Sequence, residues 1–340
     1  MIHKSYSSLL ILSLLWAVTA CTAHKQAHSP TVKVITTTGD RSKEFKTDTL
    51  ALFSADKTTN ANITLKPTEK FQTVYGFGAA ITGSTCYNLM QMSPADRKNF
   101  LIQTFSETEG FGQNFVRISI GCSDFSLSEY TLCDTKGIDN FALTQEETKY
   151  VIPILKEILA INPKVQIIGS PWTPPRWMKV NNLTDLQPYD HWTSGQLNPA
   201  LYQDYALYFA KWLQAMKDNG LNVNAITIQN EPLNRGNSAS MYMGWDEQLA
   251  FIKKALGKTL RDKGFAEVKI YLFDHNYNYD NMPSQQQYPL HIYKDTEASQ
   301  YITGAAYHNY GGNPDELNNI HNQYPNKELI FTESSIGTWN

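Results

Sequence analysis

Short apolar runs alternate with longer amphipathic stretches through most of the chain. The runs are Val74–Ala80, Phe115–Ile120, Val165–Gly169, Ala225–Gln229, Val268–Phe273, Gly304–Tyr307 and Leu329–Phe331. Between them, Glu147–Leu159 and Leu201–Met216 carry Leu, Ile and Trp at three- and four-residue intervals, the period of a helix that buries one face. Strand and helix in alternation predict a parallel sheet of the α/β class. Seven strands are more than most open doubly wound sheets use, and no G-x-G-x-x-G opens a helix, so a (β/α)8 TIM barrel fits better. The seventh strand is followed closely by Asn340. The expectation is therefore a barrel truncated after strand seven, with an incomplete C-terminus.

Upstream the rhythm differs. Val32-Lys33-Val34-Ile35-Thr36 alternates in a Thr-rich stretch, and Ile63-Thr64-Leu65 repeats the pattern before Pro67. Residues 31–70 are expected to form strands of a small side domain, and residues 71–340 the barrel. Residues 21–30 read as a polar tether. Met1–Ala20 reads as a secretory signal, with Lys4 ahead of an apolar run from Leu9 to Val18 that is too short to span a bilayer. It ends Val18-Thr19-Ala20-Cys21, which resembles a bacterial lipobox with Cys21 as the lipidated residue. Export and lipid anchoring to a bacterial membrane, at the cell surface or in the periplasm, are the expectation.

Composition narrows the chemistry. Of 340 residues 41% are hydrophobic and 18% charged, which describes a globular chain. The 29 basic and 32 acidic side chains leave a formal net charge of -3, so no nucleic-acid footprint is expected. Cys86, Cys122 and Cys133 show neither C-x-x-C spacing nor a nearby His pair, which argues against a zinc site.

In a barrel of this kind the chemistry collects at the C-terminal ends of the strands. Those ends read Gly76-Phe77-Gly78-Ala79-Ala80; Arg117 running into Ser123-Asp124-Phe125-Ser126; Ser170-Pro171-Trp172-Thr173-Pro174-Pro175; Gln229-Asn230-Glu231-Pro232; Phe273-Asp274-His275-Asn276; Tyr307-His308-Asn309-Tyr310; and Thr332-Glu333-Ser334-Ser335. Glu231 and Glu333 stand 102 residues apart, three strand–helix steps, which puts them on strands four and seven facing one another across the mouth. Two opposed carboxylates are what glycosidic cleavage requires: one protonated to assist the leaving oxygen, one ionised to attack. His308 reads as a satisfied core histidine. Packing is the expected role of Trp177, Trp192 and Trp245, with sugar stacking as the alternative.

This ordered set resembles the glucocerebrosidase-like glycoside hydrolases of family 30, in the clan of barrels with catalytic Glu on strands four and seven. The resemblance runs from about Val74 to Gly337. It implies Glu333 as nucleophile and Glu231 as acid/base of a retaining mechanism, with Asn230 bonding the sugar 2-OH and Arg117 keeping Glu333 ionised. It further implies that Asp124 and Trp172 bind the outer hydroxyls and ring face of the terminal sugar, with Tyr310 beside the nucleophile. No metal or other cofactor is implied. The implied substrates are a β-glucan oligosaccharide, β-1,6-linked by preference, or a β-glucosyl lipid of the glucosylceramide type. Alternatives are a lipid-anchored carbohydrate-binding remnant without turnover and a relative acting on xylan or fucosides. Family members also carry an eighth strand and a C-terminal β-sandwich, to which residues 31–70 would contribute.

Overall fold

The computed structural model describes residues 30–52 and 63–335. Cys21 and the leader, like Gly337 and the residues after it, lie outside the described residues. The chain divides into two compact units, the boundary falling between Thr73 and Val74.

In the first unit β1 (Thr31–Thr36) and β2 (Lys46–Ala51) pair antiparallel, from Thr31 opposite Ala51 to Thr36 opposite Lys46. Residues 63–65, expected as a further strand, are irregular and exposed. A strand needs a ladder to pair with, and alternation alone does not supply one.

The second unit is built on β3 (Gly78–Ala80), β4 (Phe115–Ser119), β5 (Gln166–Ser170), β8 (Ala225–Thr227), β9 (Lys269–Asn276), β10 (Gly304–His308) and β11 (Glu328–Glu333). A two-residue antiparallel pair, β6 (Lys179–Val180) and β7 (Gln196–Leu197), lies in the loop after β5. The seven long-range strands form one parallel sheet in the order β11-β10-β9-β8-β5-β4-β3, the curled wall of a TIM barrel. Each predicted run is a strand of this sheet. The first is the least developed, since only Gly78–Ala80 of the run pairs.

The crossovers carry α1 (Gly83–Gln91), α2 (Pro94–Phe105), α3 (Ile152–Ile161), α4 (Tyr202–Asp218), α5 (Trp245–Phe251), α6 (Gly257–Asp262), α7 (Tyr288–Tyr293), α8 (Thr296–Ser299) and α9 (Asp315–Gln323). The predicted Glu147–Leu159 helix is a π turn over Glu147–Val151 followed by α3. In α2, the Ser93 hydroxyl accepts from the Asp96 N–H and Pro94 fills the first turn, where its missing N–H costs nothing. Among the described residues no helix is long and apolar enough to cross a membrane.

Period-two alternation sorts the strand side chains. Val116, Ile118, Ile167 and Ile226 point outward under the helices, in a core that includes Trp212, Tyr205 and Phe251. Ile168, Ala225, Tyr271 and Ala306 point inward and pack together with Phe115 and Ile330. One layer nearer the C-terminal ends, the inward positions are polar: Arg117, Ser170, Thr227, His308 and Thr332. Cys86, Cys122 and Cys133 are free and buried.

Candidate active site

β9 departs from alternation where the site begins. Ala306 pairs with Phe273 but Tyr307 pairs with His275, so Asp274 is an extra, bulged residue. Phe273 and Asp274 both have positive φ, 69° and 66°. Left-handed backbone at two successive non-glycine residues is strained, and here it turns the Asp274 carboxylate into the barrel.

That carboxylate organises the polar layer. Its Oδ2 accepts from Ser170 Oγ (2.7 Å), Thr227 Oγ1 (2.7 Å) and Arg117 Nη2 (2.9 Å). Its Oδ1 lies 3.0 Å from His308 Nε2 and accepts from Thr332 Oγ1 at 2.5 Å. Burial opposes ionisation, yet the Arg117 charge and the His308 bond hold the carboxyl well below its usual range.

Arg117 spans the mouth from β4. Nη1 donates to Glu333 Oε2 at 2.8 Å, and Nη2 donates to Asn230 Oδ1 at 2.8 Å as well as to Asp274. Its guanidinium carbon sits 4.9 Å from the centre of the Trp172 ring. With Arg117 donating to Oδ1, the Asn230 amide keeps its Nδ2 donor for a group other than the arginine. Tyr310 donates its hydroxyl to Glu333 Oε1 at 3.1 Å, and its own proton is held to about 12, by burial and by the Glu333 charge.

Glu231 follows β8 in a left-handed conformation, φ 44°, with its N–H bonded to the carbonyl of Asp274. Oε1 lies 3.2 Å from His308 Nδ1, and Oε2 accepts from Asn234 Nδ2 and Asn237 Nδ2, both at 2.8 Å. Burial alone would raise its proton affinity. The His308 bond and charge, with the Asn234 bond, outweigh it and hold the carboxyl below its usual range. For His308, burial is outweighed by Asp274 and Glu231, and the imidazole rises to about 9. Facing oxygens of Glu231 and Glu333 and the His308 ring nitrogen all fall within 4.8 Å of one another. Asp124 sits at the exposed rim, where desolvation and the Glu333 charge raise its proton affinity.

The residues singled out from the sequence thus gather at one end of the sheet, apart from Cys21, which lies outside the described residues. Asp274 escaped notice as a site residue because strand alternation does not foresee a bulge. His308 is buried as expected, but it bridges Asp274 and Glu231 rather than filling the core. Asn234 and Asn237 stand on a loop without a motif; their closeness to Asn230-Glu231-Pro232 was the available signal. Trp177 donates to the Cys133 carbonyl, Trp192 lies under Arg176, and Trp245 stacks on His291.

A parallel barrel wall with two carboxylates facing each other at its C-terminal end, one on an arginine and one on an imidazole, has the arrangement of a glycosidase barrel. Residues 74–340 match the glycosyl hydrolase family 30 TIM-barrel domain, and the chain belongs to that family. It is 30% identical over 293 residues to lysosomal acid glucosylceramidase of Mus musculus, covering 81% of this chain and 54% of the relative. To endo-1,6-beta-D-glucanase of Neurospora crassa it is 33% identical over 275 residues, covering 78% of this chain and 54% of the relative. The solved structure of the endo-beta1,6-glucanase BT3312 superposes with a TM-score of 0.85 at 61% identity, covering 91% of this chain and 66% of that one. The chain spans about half the length of the curated relatives it matches.

Proposed function

We propose that the chain is a retaining β-glucoside hydrolase acting on β-1,6-glucan. The observation that carries the reaction type is the closeness of Glu231 and Glu333, whose facing oxygens lie within 4.8 Å. A retaining pair stands about 5–5.5 Å apart, whereas an inverting pair leaves room for a water at roughly 6.5–9.5 Å.

Glu333 attacks the anomeric carbon. Arg117 keeps its carboxylate ionised and aimed, and the Tyr310 hydroxyl fixes its other oxygen. The glycosidic oxygen leaves with a proton from Glu231, giving a glycosyl-enzyme ester on Glu333. Glu231 then takes a proton from water, which hydrolyses the ester. Imidazolium with carboxylate, and imidazole with carboxylic acid, are two placements of one proton across the 3.2 Å His308–Glu231 contact. Before substrate binds, that proton rests on His308, which keeps it up to about pH 9. The amide nitrogen of Asn230 bonds the sugar 2-OH, and Asp124 and Trp172 take the outer hydroxyls and ring face.

The choice of β-1,6-glucan over glucosylceramide follows identity: 61% to a β-1,6-glucanase against 30% to a glucosylceramidase. Export and attachment to a membrane through lipidated Cys21 complete the reading. Metabolic labelling with a tagged fatty acid, lost in Cys21→Ser, tests that part.

A glucose-configured cyclophellitol probe tests the chemistry. Label on the Glu333 peptide, absent in Glu333→Gln, together with oligosaccharide release from pustulan, is the expected result. Release of ceramide from glucosylceramide with pustulan untouched would replace the substrate, and binding of glucan without label or turnover would reduce the chain to a carbohydrate-binding protein.

A further inference from the structure

A second buried imidazole faces Glu231. His275 is 1% exposed, and its Nε2 lies 3.4 Å from Asp280 Oδ1 and 3.9 Å from Glu231 Oε1. Among the described residues its buried Nδ1 has no hydrogen-bond partner. The charged and titratable groups facing the ring are Glu231 after β8, Asp274 on β9, Asp280 in the following loop, and His308 on β10, whose ring centre is 6.3 Å away.

Chemistry fixes the state of this ring. Full protonation would bury an N–H at Nδ1 that nothing accepts, so the ring is neutral, and burial pulls its proton affinity down accordingly. Its one proton belongs on Nε2, between two carboxylates. Before substrate binds, the proton faces the nearer of the two, Asp280 at 3.4 Å, because Glu231 Oε1 already faces His308 at 3.2 Å. Asp280 is itself held in place by Asn276 Nδ2 at 3.2 Å.

We infer that His275, oriented by Asp280, is a positioning residue for Glu231, and that its Nε2–H turns to Oε1 as Glu231 gives up its proton to the leaving oxygen. No proton or charge leaves the ring: its N–H turns from a long contact with Asp280 towards the carboxylate on which negative charge is growing. Stabilisation gained only as that charge develops accelerates the bond-breaking step and leaves substrate binding unchanged. This inference rests on the hydrolase reading and assigns a further part of the same site.

The dependence on leaving group tests it. A dinitrophenolate departs without a proton, whereas a sugar alkoxide or a weakly acidic phenol needs one. Aryl β-gentiobiosides of graded leaving-group acidity are compared in the wild-type full chain, His275→Leu and His275→Gln, with competent sites counted by the dinitrophenolate burst from a 2-fluoro glycoside. His275→Leu is expected to lose about tenfold or more in kcat/KM on the least acidic leaving groups and less than about twofold on dinitrophenolate, with KM little changed. His275→Gln, which restores a donor, recovers part of the loss.

Equal losses on every leaving group, or no loss at all, overturn the inference and leave the hydrolase reading intact. If His275→Leu shows no burst, Asp280→Asn is compared in its place, with the same selective loss expected and the same uniform loss overturning the idea. A wild-type chain with neither burst nor turnover overturns the hydrolase reading and this inference with it.

Discussion

Arg117 and Glu333, 216 residues apart in the chain, meet through one contact of 2.8 Å between Nη1 and Oε2. The same guanidinium holds Asp274 and Asn230 with its other terminal nitrogen. One planar fork therefore holds the Glu333 carboxylate and the residue beside Glu231 together.

A lysine would keep the charge but has a single nitrogen and cannot reach both sides. Arg117→Lys is expected to lower kcat by roughly 100-fold or more. It is also expected to cost about 3 kcal/mol of stability, because Asp274 keeps a buried charge with a weakened partner. Steady-state kinetics beside urea unfolding check both.

The raised proton affinity of His308 makes stability depend on pH. Its folded value of about 9 exceeds the ordinary 6.5, so the imidazolium is favoured by folding. The contribution is complete below about pH 6.5 and is lost as pH rises through about 9. Between pH 6 and 10 the wild type should therefore lose stability relative to His308→Asn. A difference in Tm that stays constant across that window would show that His308 does not titrate there.

Lys179 is a buried cation whose partners are carbonyls rather than an acid. Its Nζ donates to His191 (2.9 Å), Trp192 (3.1 Å) and Ser240 (2.9 Å), joining two loops, and burial brings its proton affinity down to about 7. Lys179→Met should cost about 2 kcal/mol by leaving the His191 and Ser240 carbonyls unpaired, while Trp192 keeps the Ser240 N–H. Limited proteolysis is expected to cut faster between Tyr189 and Gly195.

Gly169 lies where β5 meets α4. A Cβ there would stand 2.3 Å from the fully buried Trp212 ring. Gly169→Ala should cost about 2 kcal/mol through overpacking. Adding Trp212→Phe should recover part of the lost urea midpoint, which a purely backbone effect at position 169 would not allow.

The wall of the barrel was legible in the chain because both repeating signals are strong there: apolar runs for strands, three- and four-residue spacing for helices. Glu231, Glu333, Asn230, Arg117, Trp172 and Tyr310 were legible because they fall at strand ends, where this architecture gathers polar groups. Asp274 was not, since only a bulge with two left-handed residues turns it inward. His275 and Lys179 were missed for a related reason. Each looks like an ordinary polar residue on a strand or loop, and its meaning comes from neighbours far away in sequence. Residues 63–65 show the reverse error, a strand-like pattern with no strand beside it.

Asp274 collects hydrogen bonds from side chains on five other strands: Arg117 on β4, Ser170 on β5, Thr227 on β8, His308 on β10 and Thr332 on β11. A keystone of this kind makes the mouth of the barrel an all-or-none assembly. Slippage of any one of those five strands takes a donor from the aspartate and, through Arg117 and His308, disturbs Glu231 and Glu333 together. The proposed hydrolytic activity then becomes the most sensitive gauge of whether the wall is fully in register, expected to fail during gentle warming while the outer helices still give an intact spectroscopic signal.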